Sequence, residues 1–263
     1  MNVRKQPVAL VTGGSRGVGR GVVVGLVKAG FCVYATGRSI AAAELPDEVR
    51  RLPCDHLHDE ETDKVFRTIE ADGVGLDLLA NCAWGGYERM VDSGVFTWPA
   101  PFWEQPLHRW TSMLDAGVRA AFVCSARAAR FMVPQRRGLI VNISSWAAQK
   151  RIGNALYGIS KAATDKLTSD IAEELKPFGV AAISLYPGLV RTEAVISAAA
   201  SGAFDLSNSE SPEFIGSVIA RLYSDPALMN RSGQVIVAAL IAKEFGLTDI
   251  DGRVPRPLTI VDV

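Results

Sequence analysis

Short apolar segments alternate with amphipathic segments along almost the whole chain of 263 residues. The first apolar segment, residues 7–12, runs into a glycine-rich stretch, and an amphipathic segment follows at residues 17–29. Apolar strands that alternate with helices are typical of βαβ units, whose parallel sheet is covered by helices on both faces. We therefore predict the α/β class, with a doubly wound parallel sheet of about seven strands.

The same alternation predicts the individual elements. Strands are expected at residues 7–12, 31–36, 51–54, 76–80, 139–143, 180–186 and 233–237, and helices at residues 17–29, 59–71, 106–133, 156–176 and 212–223. No repeat, charge block or linker-like composition divides the chain, which predicts one domain over residues 1–263. Two regions interrupt the alternation: an aromatic insertion loop at residues 84–105 and a predicted substrate lid at residues 193–225, rich in Ala, Ser and Gly between residues 195 and 211.

Composition excludes several classes of partner. Lys plus Arg and Asp plus Glu both number 28, so nothing favours a nucleic acid or an anionic membrane. No apolar run reaches the roughly 18 residues of a membrane span, and the first run is too short for a signal peptide. We therefore expect a cytoplasmic protein whose partner is a small molecule.

Cysteine and histidine patterns favour neither disulfides nor metal. The cysteines lie in apolar segments without a CxxC pair, which predicts buried free thiols: Cys32, Cys54, Cys82 and Cys124. The histidines (His56, His58 and His108) lack the spacing of zinc ligands, so we expect no metal site.

The glycine-rich turn after the first strand reads TGGSRGVG from Thr12 to Gly19. Glycines there permit a tight turn and close approach of the backbone to a pyrophosphate, which the next helix N-terminus attracts. The spacing is TGxxxGxG, and no GK[ST] follows, so this is not a P-loop. The turn predicts a Rossmann-type dinucleotide site whose cofactor contacts are Gly13, Ser15, Arg16, Gly17, Val18 and Gly19.

The end of the second predicted strand indicates which dinucleotide binds. NAD-preferring sites place an acid there for the ribose hydroxyls. This strand instead ends in Thr36-Gly37-Arg38, and the guanidinium of Arg38 suits a phosphate. Arg16 could add a second cation, although Arg38 could also be a solvated loop residue. We favour NADP(H) as the cofactor.

Tyr157 and Lys161 lie four residues apart, on one face of a predicted helix. A free phenol is a weak base at neutral pH, and a nearby ammonium favours its phenolate form. Ser144 and Ser145 follow the fifth predicted strand, at the sheet edge where open α/β sheets bind ligands. Ser145 lies twelve residues before Tyr157, so we predict that its hydroxyl and the Tyr157 phenol converge on one carbonyl oxygen.

These motifs resemble the short-chain dehydrogenase/reductase family in its TGxxxGxG branch, over residues 7–193. The resemblance implies a catalytic set of Ser145, Tyr157 and Lys161, with Tyr157 and Lys161 also contacting the cofactor. In this set Tyr157 is the acid/base, Lys161 its partner, and Ser145, which we prefer to Ser144, orients the substrate. It further implies an adenine contact for Asp55. Support of the fourth strand and the adenosine ribose is implied for Asn81, in the segment Asn81-Cys82-Ala83-Trp84 where the family usually shows NNAG. Contacts near the nicotinamide are implied for Pro187, Gly188 and Thr192.

The chain departs from the family pattern at Gly117, where the family carries an asparagine that supports a proton-relaying water. We expect backbone-held water to connect the helix around Gly117 with Lys161. On this hypothesis Gly117→Asn leaves activity similar or higher. The spacing of twelve residues between Ser145 and Tyr157 is also one shorter than usual in the family.

The leading functional interpretation is an NADP(H)-dependent reductase of ketones or aldehydes. A sugar-nucleotide epimerase is disfavoured because only about 70 residues follow Thr192. A non-catalytic NADP(H)-binding protein is the other alternative, and the intact Ser145, Tyr157 and Lys161 argue against it. The aromatic loop packs onto the domain, at a subunit contact, or covers the substrate pocket, and the two are not exclusive; both favour a bulky or hydrophobic substrate. We also expect a homodimer or homotetramer.

Overall fold

A computed structural model describes residues 6–92, 94–200, 202 and 205–263 of the chain. The strands, in chain order, are β1 (Val8–Thr12), β2 (Cys32–Gly37), β3 (Arg50–Pro53), β4 (Leu78–Asn81), β5 (Val91–Asp92), β6 (Val95–Phe96), β7 (Gly138–Ile143), β8 (Val180–Tyr186), β9 (Leu189–Val190), β10 (Ser209–Glu210) and β11 (Val235–Val237). The helices are α1 (Gly17–Lys28), α2 (Asp59–Ala71), α3 (His108–Trp110), α4 (Ala120–Gln135), α5 (Ala155–Leu175), α6 (Glu193–Ala199), α7 (Pro212–Tyr223) and α8 (Ala238–Phe245).

Seven strands form one parallel sheet in the order β11-β8-β7-β4-β1-β2-β3. The chain builds from β1 towards β3 and then restarts on the other side of β1 with β4. Open α/β sheets bind ligands at such a reversal, outside the carboxyl ends of the strands. The predicted doubly wound, Rossmann-type fold is confirmed.

Alternate residues of each strand face opposite sides of this sheet. In β1, Ala9 and Val11 pack into a core with α1, α7 and α8, whereas Val8 and Leu10 pack into a second core with α2, α4 and α5. Burial of apolar side chains on both faces is what the near-continuous apolar strands predict. The two layers hold the loops at the carboxyl edge of the sheet in fixed positions.

The helix predicted at residues 106–133 is interrupted. α3 leads into a π-helical segment, Thr111–Arg119, which continues into α4. Gly117 lies in this segment and is buried. π-helical turns are rare and frequently occur at functional sites.

Three further findings refine the predicted elements. The C-terminal part of the predicted lid region is not a lid, because α7 is buried and packs along α1. Residues 201, 203 and 204 of that region lie outside the described residues. Cys54 and Cys124 are buried as predicted, whereas Cys32, at the start of β2, and Cys82, directly after β4, are partly exposed. Within the described part of the chain, no helix has the length and apolar character needed to cross a membrane.

Candidate active site

Two hydroxyl groups meet at the carboxyl edge of the sheet. Ser145 follows β7, and its Oγ lies 2.9 Å from the hydroxyl oxygen of Tyr157 in the first turn of α5. The Asn154 side chain caps this helix by accepting a hydrogen bond from the Tyr157 amide at 3.0 Å. The neighbouring Ser144 hydroxyl instead donates to the Lys161 carbonyl at 3.3 Å. The geometry thus pairs Tyr157 with Ser145 and engages Ser144 in the helix backbone.

Lys161 lies one turn along α5 from Tyr157 and is only 7 % exposed. Its Nζ donates to the Ile143 carbonyl at 3.1 Å and lies 4.7 Å from the centre of the Trp84 ring. Burial lowers the pKa of the Lys161 ammonium to about 8, against the opposing effect of Asp165. A carbonyl and an aromatic face are weak compensation for a buried charge, so this ammonium is available to an anionic or polar partner.

Aromatic side chains of residues 84–105 surround Tyr157, which is 8 % exposed. The Trp84 and Trp98 ring centres lie 5.5 Å and 5.4 Å from that of Tyr157, and Tyr87 contacts both tryptophans. Phe102 and Trp103 instead contact each other edge to face and are 70 % and 71 % exposed. The loop therefore has an inner group at the candidate site and an outer pair on the surface.

Trp84 also explains Gly117. A Cβ atom added to Gly117 would lie 2.6 Å from Cδ1 of Trp84, so the indole occupies the space of a side chain at that position. The same indole lies over Lys161, and the hypothesis of backbone-held water between Gly117 and Lys161 stays a prediction. The expectation for Gly117→Asn stays a prediction, and asparagine at this position requires the Trp84 ring to move.

The glycine-rich turn lies beside the end of β4, at the reversal of strand order. Gly13 has a φ of +67°, and a Cβ there would lie 2.8 Å from backbone atoms of Ala83. Only glycine combines this conformation with so close an approach. The hydroxyl of Ser15 faces Gly37 at the end of β2, next to Arg38. α1 begins at Gly17, so its free N–H groups face the same cleft.

Carboxylates contact the cationic and N–H groups of this cleft. Glu88, from the aromatic loop, forms ion pairs with both Arg16 and Arg38 through one oxygen. Glu193, at the start of α6, accepts a hydrogen bond from the Gly17 amide at 3.0 Å and pairs with Arg20 at 3.2 Å. The cleft therefore holds anions at the two places where the sequence predicts phosphates.

Comparison with known proteins agrees with this arrangement. The model of the short chain dehydrogenase family matches residues 7–201. The chain belongs to the short-chain dehydrogenase/reductase family. It is thereby an oxidoreductase, as the sequence predicts.

Individual relatives span nearly the whole chain. Dehydrogenase/reductase SDR family member 1 of Mus musculus is 37 % identical over 95 % of this chain and 85 % of its own length, and that of Homo sapiens is 36 % identical over 94 % and 84 %. Solved structures with the same fold include ElxO with NADP bound (TM-score 0.75, 21 % identity, 89 % of this chain and 97 % of that one). Another is a short-chain type dehydrogenase/reductase from Mycobacterium marinum (TM-score 0.72, 23 % identity, 88 % and 93 %).

The other residues implied by the family resemblance lie around the same edge. Asp55 follows β3 and accepts a hydrogen bond from the Leu57 amide at 3.1 Å. Asn81 ends β4, and its amide donates to Asn142 at 2.8 Å and Ser125 at 3.2 Å, which ties β4 to β7 and α4. This arrangement is consistent with support of the fourth strand, whereas its contact with a ribose stays a prediction.

The segment after β8 approaches the glycine-rich turn. Pro187 and Gly188 follow this strand directly, and the Gly188 amide donates to the Glu210 carboxylate at 2.9 Å. Thr192 caps α6, and its methyl carbon would lie 3.5 Å from a Cβ at Gly17. The predicted nicotinamide-side residues therefore border the same cleft as the predicted phosphate-side residues.

Sequence reasoning placed Trp84 in the aromatic loop but missed its contact with Gly117, and it missed Glu88 and Glu193. The signal for Trp84 was present, because a bulky residue follows Asn81-Cys82-Ala83 where the family has glycine, while Gly117 replaces a larger residue. Such an exchange of sizes indicates two positions in contact. Nothing in the sequence near Glu88 or Glu193 distinguishes these acids from solvated ones.

Proposed function

We propose that this short-chain dehydrogenase/reductase uses NADP(H) to interconvert a ketone or aldehyde and the corresponding alcohol, with Tyr157 as the acid/base. The observation that carries the proposal is the 2.9 Å contact between the Ser145 and Tyr157 hydroxyl groups, one helical turn from a buried Lys161. Two hydroxyls at this distance can both reach a single carbonyl oxygen.

Each residue then has a distinct role. A bound nicotinamide cofactor supplies or accepts the hydride. In reduction, Tyr157 donates its proton to the carbonyl oxygen, and Ser145 orients that oxygen by a hydrogen bond. The Lys161 ammonium favours the resulting phenolate, because an opposite charge nearby stabilises an anion. In oxidation, the phenolate accepts the alcohol proton.

The residues of the cleft fit a phosphorylated dinucleotide. A Cβ at Gly13 would fill the space beside the glycine-rich turn, and Arg16 and Arg38 already converge on one carboxylate. Two guanidinium groups that share an anion suit a phosphate monoester better than an uncharged ribose hydroxyl. Bound NADP in the related fold of ElxO supports the same cofactor here.

The substrate is proposed to be bulky or hydrophobic. Trp84, Tyr87 and Trp98 present aromatic surface directly beside Tyr157. Binding sites for small molecules are mostly apolar, with few polar groups that fix orientation. Here Ser145 and Tyr157 are those polar groups.

Titration of the purified protein with NADPH and NADH tests the cofactor assignment. Loss of one charge-assisted contact costs about 1.5–3 kcal/mol, so we expect at least a tenfold preference for NADPH and its near loss in Arg38→Ala. Arg151→Ala, at an exposed arginine outside the cleft, is the control and should keep the preference. Equal affinities of the wild-type protein for the two cofactors would refute the assignment. Turnover of NADPH with a panel of hydrophobic ketones and aldehydes then tests the reaction.

A further inference from the structure

Glu88 connects the aromatic loop to the candidate phosphate site. One of its carboxylate oxygens pairs with both Arg16, in the glycine-rich turn, and Arg38, after β2. These arginines come from two separate elements, 72 and 50 residues away from Glu88 in the chain. A single anion therefore holds both guanidinium groups, as a bound phosphate would.

The loop that carries Glu88 also covers Tyr157. Tyr87 is its direct neighbour, and Trp84 and Trp98 contact the Tyr157 ring at 5.5 Å and 5.4 Å. The position of the Glu88 carboxylate and the position of this aromatic cover are thus linked through a few residues of backbone. Release of Glu88 from the two arginines removes the attachment of this part of the loop to the phosphate side of the cleft.

We propose that Glu88 is a cofactor-specificity residue whose carboxylate occupies the binding position of the cofactor 2′-phosphate. The 2′-phosphate displaces this carboxylate on binding. Its displacement loosens the aromatic cover, formed by Trp84, Tyr87 and Trp98, before substrate enters. This inference rests on the proposed NADP(H) dependence. A phosphate monoester carries nearly two negative charges near neutral pH and offers three acceptor oxygens, so it outcompetes one carboxylate at two guanidinium groups. NADH has only a ribose hydroxyl at that position and leaves the Glu88 ion pairs intact.

The exposure of the two arginines sets the size of the expected change in affinity for the 2′-phosphate. Arg16 and Arg38 are more than half exposed in their pairs with Glu88, and exposed ion pairs are individually weak. Removal of both pairs therefore changes the affinity for a 2′-phosphate by about threefold to tenfold. Glu88 therefore lowers the preference for NADPH over NADH by this factor without abolishing NADPH binding.

Binding of 2′-AMP tests this phosphate position by itself, because 2′-AMP has the 2′-phosphate but neither pyrophosphate nor nicotinamide. We expect Glu88→Gln to bind 2′-AMP and NADPH about threefold to tenfold more tightly than the wild-type protein, by calorimetry at constant ionic strength, with little change for NADH. Two variants are controls. Glu104→Gln removes an exposed carboxylate of the same loop, and Glu193→Gln removes the carboxylate that accepts from the Gly17 amide. Neither variant should bind 2′-AMP more tightly.

Tryptophan fluorescence reports on the cover, since Trp84, Trp98 and Trp103 lie in this loop. Saturating 2′-AMP should change the emission of the wild-type protein, and Glu88→Gln should show most of that change without ligand. If Arg38→Ala weakens 2′-AMP binding while Glu88→Gln leaves it unchanged, the inference fails and the proposed function stands. Equal gains in Glu104→Gln and Glu193→Gln would reduce the effect to net charge and overturn the inference. Undiminished 2′-AMP binding by Arg38→Ala would overturn both proposals.

Discussion

The proposed chemistry depends on one phenol, because Tyr157 is the group placed against Ser145. Tyr157→Phe removes only the hydroxyl, so the ring contacts with Trp84 and Trp98 should persist. We expect turnover to fall by at least about a hundredfold, the scale of general acid–base catalysis. Affinity for NADPH and the melting temperature should stay close to the wild-type values.

Tyr34→Phe is the control for this variant, because it removes a phenol that donates to Asp72 at the end of α2, away from the candidate site. It should retain most of the turnover. Steady-state kinetics on the best carbonyl substrate compare the two variants. Near wild-type turnover in Tyr157→Phe would show that another group donates the proton.

A second prediction concerns Lys161, whose buried charge opposes folding. Its pKa falls from 10.5 to about 8 in the folded protein. Below pH 8 both folded and unfolded chains carry the proton, and the cost of burial is fully present, at about 3 kcal/mol. Between pH 8 and 10.5 the folded chain loses the proton first, so this contribution to the free energy of unfolding increases with pH.

Lys161→Met should therefore raise the melting temperature at pH 7 while it abolishes turnover, with the gain reduced by loss of the contact with Trp84. The difference from the wild-type protein should shrink as pH rises from 8 towards 10. Thermal unfolding at pH 7 and pH 9.5 measures it. Lys166→Met, at an exposed position of α5, should show no such pH dependence. A Lys161→Met variant that melts lower than wild type at pH 7 would contradict this account.

At the scale of elements, Trp84 and the π-helical segment Thr111–Arg119 fit each other. A Cβ at Gly117 would lie 2.6 Å from the indole, so Gly117→Ala should destabilise the protein by about 1–3 kcal/mol through overpacking. In a Trp84→Ala background the ring is gone, and Gly117→Ala should be neutral or stabilising. Urea unfolding of the two single variants and the double variant measures the coupling. Additive effects would mean that the two positions are independent.

Elements were predictable from the sequence where the signals are local. α2, β8 and α7 have the predicted bounds, because apolar periodicity and stop residues such as Pro177 and Gly179 lie within or beside them. α8 was not predicted, since it follows β11 with no intervening turn residue. The π-helical segment has no known residue signature that separates it from an α-helix. Its place against Trp84 is set by packing that a local pattern does not contain.

At the scale of the whole molecule, the sheet was predictable from the sequence, whereas the contacts that loops make across its carboxyl edge were not. Strand order and the site of Tyr157 follow from βαβ units and from the ends of parallel strands. The pairing of Glu88 with Arg16 joins residues 72 positions apart through an irregular loop. Contacts of that kind depend on the conformation of the loop, for which neither periodicity nor spacing carries information.

The contact between α1 and α7 links the fold to the cofactor cleft, because α1 begins at the glycine-rich turn. The two helices touch backbone to backbone: a Cβ at Gly25 would lie 2.7 Å from Cα of Gly216. Unlike the indole at Gly117, a backbone obstacle cannot rotate away. Gly25→Ala should therefore force the helices apart, destabilise the protein by about 3 kcal/mol or more, and weaken NADPH binding.

Gly73→Ala is the control that separates steric collision from the backbone strain of alanine at a positive φ. Gly73 has a φ of +66° and open space around it, so alanine there costs only about 1–2 kcal/mol of backbone strain and leaves NADPH binding unchanged. Urea unfolding and NADPH titration of both variants make the comparison. Because Gly216 presents the same backbone from the other side, Gly216→Ala should reproduce both effects of Gly25→Ala. A Gly25→Ala variant that binds NADPH normally despite reduced stability would show that the position of α1 does not govern the cofactor cleft.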